Sequence, residues 1–241
     1  MKTSLLTRLA LTSAMTLFAS MANAGITLDG TRVVFAAPAK ETSVIVRNQG
    51  SDDIMVQSWV EPDRNGPSAE VPFVVTPPLV RLGGNKQQTL RILYQGQGLP
   101  TDKESVLWLA VQEIPQKAKD QNTLQIAIRQ RIKLFYRPAN LPDTSANAAK
   151  NLQWKLVEQG GKTALSVTNP SAYHVSFSGS TVKLRNGADT GSATAEMLAP
   201  GATRVVAIKG SAGVRSGAAT VEFDSINDYG GLDRITSKLS N

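Results

Sequence analysis

The chain has no cysteine and only one histidine among its 241 residues. The first absence excludes disulfide scaffolds, zinc–thiolate sites and cysteine nucleophiles, so burial and hydrogen bonding alone must hold the fold. The single histidine, His174, sits in an alternating Tyr-His-Val-Ser-Phe segment and reads as a structural or surface residue. No serine stands in a Gly-x-Ser-x-Gly elbow, and no acidic cluster has metal-ligand spacing. The glycine pairs Gly83-Gly84 and Gly160-Gly161 lack a phosphate-loop lysine and are read as turns. Aromatic residues make up only 5% of the chain, with three tryptophans and no aromatic platform for a sugar. These absences argue against an enzyme and imply no cofactor and no metal. Beyond the N-terminus no stretch approaches 18 uninterrupted apolar residues, so no membrane insertion is expected.

What is present begins with a secretory leader over residues 1–24. Lys2 and Arg8 supply a positive start, Leu9 to Ala19 an apolar stretch, and Ala22-Asn23-Ala24 a small-x-small cleavage site. About 217 residues then remain, enough for one large or two ordinary domains. Removing the leader lowers the formal net charge from +7 to +5. In an exported chain this basic balance points to acidic proteins or an anionic surface, and argues against nucleic acid as a partner.

From Gly25 onward, short alternating segments are punctuated by turn residues about every 10 positions, the pattern of an all-β sandwich. Strands are predicted at 26–35, 41–48, 54–61, 71–75, 88–95, 105–113 and 122–137. A small, polar stretch after Pro138 reads as a structureless domain boundary. Further strands are predicted at 152–158, 163–168, 173–178, 181–185, 203–209, 217–224 and 232–239. The domains expected are therefore 25–146 and 147–241.

The segment 122–137 stands out for its length, about 13 residues of strand against a usual 5 to 6. Leu124, Ile126 and Ile128 alternate with Gln125, Ala127 and Arg129, so three large aliphatic side chains share one face. Such a face suits an inner strand packed on a core. It equally suits an apolar edge kept open for another chain, since proteins otherwise avoid exposed apolar edges.

Several phrases together resemble the periplasmic pilus (fimbrial) chaperones. They are Thr31-Arg32-Val33-Val34, Pro72 to Pro78, Glu104-Ser105-Val106-Leu107-Trp108-Leu109, Arg131 to Pro138, Asn169-Pro170 and Asn227-Asp228-Tyr229-Gly230-Gly231. They occur in family order across nearly all of the mature chain. The resemblance implies two immunoglobulin-like domains set at an angle with a cleft between them. It also implies a periplasmic chaperone that lends a strand to pilin subunits and delivers them to an outer-membrane usher. On that likeness Leu124, Ile126 and Ile128 form the lent strand, Arg32 and Lys133 anchor the subunit's terminal carboxylate, and Glu104, Arg137 and Asp228 form a charged network between the domains. Strict alternation puts Lys133 on the face opposite Ile128, which calls for a bulge, a strong twist or an approach from the strand's end. Ala110 and Ser171-Ala172 depart from common family residues. The short connection from Val111 to Asn122 resembles the short-loop subgroup. The competing function is a secreted pilus subunit or adhesin, also β-rich and exported.

Overall fold

The computed structural model describes residues 25–63, 71–116, 126–179, 181–186, 189–210 and 219–240. The first half contains β1 (Ile26–Leu28), β2 (Arg32–Ala36), β3 (Glu41–Asn48), β4 (Ile54–Pro62), β5 (Phe73–Thr76), β6 (Leu79–Leu82), β7 (Gln87–Tyr94), β8 (Ser105–Pro115) and β9 (Arg129–Arg137). They form two sheets, in the orders β1-β3-β7-β5 and β2-β9-β8-β4-β6. Alternation decides what each strand buries: on β8, Leu107, Leu109 and Val111 face inward, and on β9 so do Leu134 and Tyr136. Phe35, Phe73, Tyr94 and Tyr136 meet there, with ring centroids 4.5 to 6.2 Å apart.

A single helical turn, α1 (Ser145–Ala148), leads into the second half. There β10 (Gln153–Gln159), β11 (Lys162–Thr168), β12 (Thr181–Asn186), β13 (Asp189–Thr194), β14 (Thr203–Ala207), β15 (Lys209–Gly210), β16 (Thr220–Ile226) and β17 (Leu232–Lys238) follow. Their sheets run β10-β11-β14 and β15-β13-β12-β16-β17. Trp154, fully buried, packs against Phe177 and Phe223 at the centre of this second core. The chain is thus all-β, with two sandwiches, as the alternating pattern predicted.

Four expectations need correction. The strand predicted at 26–35 is two strands, because the chain turns at Asp29-Gly30-Thr31 and changes sheets: β1 pairs antiparallel with β3, whereas β2 pairs parallel with β9. Asp29 makes the break, its carboxylate accepting the Ile45 N–H at 2.9 Å. The segment after Pro138 is not structureless, since Ala148 and Ala149 on and beside α1 are buried in the second core. Residues 173–178 form only isolated bridges, Val175 with Leu198 and Phe177 with Ser225. Finally, the long strand at 122–137 begins at Arg129. Ile126 and Ile128 precede it outside the strand itself, and Leu124 lies outside the described residues.

One device recurs in both sandwiches. Asn48, at the end of β3, donates through Nδ2 to the carbonyls of Asp52, Leu82 and Gly83, while its Oδ1 accepts the Gly50 N–H. Asn169, just after β11, donates to Tyr173, Leu198 and Ala199 and accepts from Ser171. A buried amide here satisfies loop carbonyls that no strand can reach. Replacing Asn169 by alanine is expected to lower stability by roughly 1–3 kcal/mol, because the carbonyls lose their shared donor. Urea unfolding with an unchanged slope would show this; an unaltered midpoint would mean the clamp adds nothing.

Candidate functional site

Arg32 and Lys133 are direct neighbours across the parallel β2–β9 pair. Because Val33 and Phe35, like Leu134 and Tyr136, face the core, the two cations point together from the opposite face. The register between β8 and β9 is continuous from Ser105↔Tyr136 to Gln112↔Arg129, so no bulge interrupts it. Lys133 therefore shares its face with Arg129, Arg131, Phe135 and Arg137. Ile128 and Ile126, by parity, follow the face of Ile132.

The two cations are half-buried. Arg32 Nη1 donates to the Ile226 carbonyl at 3.0 Å, across to the second sandwich, while its Nε is buried without a partner among the described residues. Its guanidinium lies 5.5 Å from the Phe135 ring centroid, and Lys133 Nζ lies 5.8 Å from that of Trp108. Among the described residues neither cation forms an ion pair. Burial holds the Lys133 amine below its ordinary value, and the adjacent Arg32 pushes it the same way, with Asp63 opposing. Burial also lowers Arg32, against the pull of Asp228 and Glu104. Two desolvated cations side by side are electrostatically unfavourable until an anion joins them, and a carboxylate can accept from both.

Beside them, Arg137 binds both sandwiches. Its Nε and Nη2 donate to Glu104 Oε1 at 3.1 and 2.9 Å, and Nη1 and Nη2 donate to Asp228 at 2.7 and 3.0 Å. Glu104 precedes β8, whereas Asp228 follows β16, so the three expected network residues do meet in space. Ser145 Oγ donates to Asp228 Oδ2 at 2.9 Å. Burial, the largest influence on both groups, opposes their charged forms. Even so, Asp228 and the Glu104 charge hold Arg137 above its ordinary value, and Arg137, Ser145 and Arg32 hold the Asp228 carboxyl below 3.8.

His174 belongs to this cluster as a buried structural residue, one of the two roles its segment allowed. Glu104, only 2% exposed in its side chain, accepts the His174 N–H at 2.8 Å through Oε2, and His174 Nδ1 lies 3.0 Å from the same oxygen. Nothing in the local alternation signalled it, because its partner is 70 residues away. Phe135 stacks near its ring at 5.8 Å. A cleft of about 560 Å³ opens here, its walls including Arg32, Phe135, Arg137, Ile226, Asp228 and Tyr229.

A second groove, about 470 Å³, runs from this cleft along the start of β9, between Thr27 to Thr31 on one side and Gln130 and Ile132 on the other. It exists because β2 pairs with β9 only from Lys133 onward. Below that register β9 has β8 on one flank and no strand on the other among the described residues. The flank continues to Ile128, whose carbonyl still accepts the Glu113 N–H at 3.0 Å. Ile128 and Ile126 are 41% and 66% exposed. Tyr229, 97% exposed, stands where groove and cleft meet.

Residues 25–142 match the N-terminal domain of the PapD pili and flagellar-assembly chaperones, and residues 147–237 match the PapD pili-assembly chaperone C-terminal domain. The chain is 37% identical to the probable fimbrial chaperone YadV of Escherichia coli K12, over 92% of this chain and 93% of that protein. The crystal structure of the YadV chaperone superposes with a TM-score of 0.74, covering 90% of this chain and all of that one. The chaperone protein FimB/FhaD of Bordetella pertussis is 39% identical, over 89% of this chain and 88% of its own. A chain from the complex of the Salmonella enterica SafA pilin with the SafB chaperone superposes at a TM-score of 0.71 with 29% identity, covering 89% and 96%.

The charged network makes its own prediction. Truncating Arg137 to alanine strands Glu104 and Asp228 and should cost about 3–5 kcal/mol. The Arg137–Asp228 part is complete above the ordinary carboxyl value of 3.8 and is lost as pH falls through the lower folded value of Asp228. Thermal melts of the native protein and Asp228→Asn should therefore converge in acid. Curves that stay parallel down to pH 2 would assign the loss to packing instead.

Proposed function

The chain belongs to the pili and flagellar-assembly chaperone family, and on that footing we propose that it holds a pilin subunit in the periplasm by lending it the edge of β9. The observation that carries this reading is the adjacency of two unpaired, desolvated cations to an open strand edge. Arg32 and Lys133 receive the carboxylate at the subunit's C-terminus, which fixes the register. The last strand of the subunit then runs along the unpaired flank of β9, where main-chain hydrogen bonds form whatever its sequence. Leu124, Ile126 and Ile128 fill the gap in the subunit's core. Each such side chain contributes roughly 1.5–3 kcal/mol on burial, before the cost of association is subtracted. A subunit held this way cannot polymerise, and an outer-membrane usher accepts it from the complex. The chain acts by binding rather than catalysis, and family membership leaves the pilus-subunit reading without support.

Lending the strand also explains why Ile126 and Ile128 are irregular and exposed in the chain alone: their ladder partner is the subunit. The solved complex of the SafA pilin with the SafB chaperone supports a pilin as partner for this relative as well.

The test is periplasmic co-expression with the pilin encoded beside the gene. The native protein should co-purify one-to-one, whereas Arg32→Ala and Lys133→Ala should lose at least about 100-fold in affinity while keeping native circular dichroism and melting behaviour, since a charge-assisted bond to a shared carboxylate is removed. Retention of normal binding by either variant would rule out the carboxylate anchor. Ile126→Asp should weaken capture with both cations intact; an unaffected Ile126→Asp protein would instead rule out the lent strand.

A further inference from the structure

Glu113 is a buried acid on the core-facing side of β8, only 6% exposed. Among the described residues its Oε2 has no hydrogen-bond partner and its carboxylate forms no ion pair. A buried, unsatisfied carboxylate oxygen is costly, and such groups call for an explanation. The neighbour against which this one packs is Gly25. A methyl group placed on the Gly25 Cα would lie 1.9 Å from Oε2 and 2.6 Å from Oε1, so only glycine permits the approach. With backbone bonds of about 1.5 Å, the Gly25 nitrogen lies no more than about 5 Å from Oε2.

Gly25 is also the first residue after the small-x-small site Ala22-Asn23-Ala24. In the uncleaved chain its nitrogen is a neutral amide; after cleavage it is a primary amine, protonated at neutral pH. We propose that Glu113 is the receptor for the α-ammonium group of the mature N-terminus, so that removal of the leader supplies the missing partner of a buried carboxylate. The inference rests on the cleavage after Ala24 that the leader pattern predicts, and not on the subunit-binding reading.

The surroundings are arranged to hold that end in place. The Gly25 carbonyl accepts the Gln49 N–H at 2.9 Å, and Gln49 Nε2 donates to Thr27 Oγ1 at 2.9 Å. Ile26 is fully buried, and its carbonyl accepts from Gln130 Nε2, on the first turn of the pleat of β9. Glu113 itself donates its N–H to Ile128. The ammonium–carboxylate pair thus lies under the same strands that wall the groove, with β1 on one side and the start of β9 on the other. Cleavage fixes β1 against Glu113 and so completes one wall of the groove.

The experiment uses the protein purified from the periplasm. Intact mass first identifies the N-terminal residue. The α-amine is then titrated through pH-dependent reductive methylation, read by NMR. If Glu113 receives it, the amine titrates about one pH unit or more above its ordinary 7.7–8.0 in the native protein and returns to that range in Glu113→Gln. Because Glu113→Gln could itself disturb the fold, a second protein keeps Glu113 and carries one extra alanine before Gly25. Its melting temperature should fall by several degrees at pH 6, and the gap should close as pH rises through the raised amine value, where the native ammonium is lost. An ordinary amine value in native protein beginning at Gly25 would overturn the pairing alone. A different first residue would overturn the cleavage and the pairing together, leaving the carboxylate anchor untouched.

Discussion

The geometry of the molecule depends on one guanidinium. Arg137 ends β9 in the first sandwich and reaches Glu104 at the start of β8 and Asp228 beyond β16 in the second. A planar fork with five donors can serve two carboxylates at once, which a lysine cannot. Taking these charges out of water is expensive, and the network repays that only if every lone pair finds a donor. Here the His174 N–H and the Ser145 hydroxyl complete the set. The arrangement ties one sandwich to the other at the wall of the cleft.

The second constraint is the change of sheet at Asp29-Gly30-Thr31. By leaving β3 and joining β9 only at Lys133, the chain does two things with one turn. It places Arg32 beside Lys133, and it leaves the lower flank of β9 uncovered. Both results work against the isolated chain. Like charges sit together in a half-buried site, and an edge with exposed isoleucines invites aggregation. In the function proposed above, both are relieved by the same kind of partner, an extended segment ending in a carboxylate. On that proposal, local features that disfavour the free protein become affinity for a specific chemistry.

Much of this was legible from the residues. Alternation over Val44 to Val46, Leu107 to Val111 and Leu134 to Tyr136 specified inward faces, because the side-chain period of a strand is two whatever the fold around it. Alternation could not show where a strand ends. The segment from 122 reads as one continuous strand, yet pairing begins at Arg129, where the register with β8 ends at Gln112, because pairing depends on a neighbour that the alternation does not reveal. The same limit merged β1 and β2 across Gly30 and missed β6 and β13.

The composition and pattern of the sequence by themselves determined that this is a cysteine-free, all-β chain, because those properties are local or additive. The tertiary structure alone decided that Arg32 and Lys133 are neighbours that form no ion pair among the described residues, that His174 shares Glu104 with Arg137, and that Glu113 lies beside Gly25. These meetings join residues 101 positions apart for Arg32 and Lys133, 70 for Glu104 and His174, 33 for Glu104 and Arg137, and 88 for Gly25 and Glu113; Coulomb energy and burial depend on distance in space, whereas the sequence records only distance along the chain.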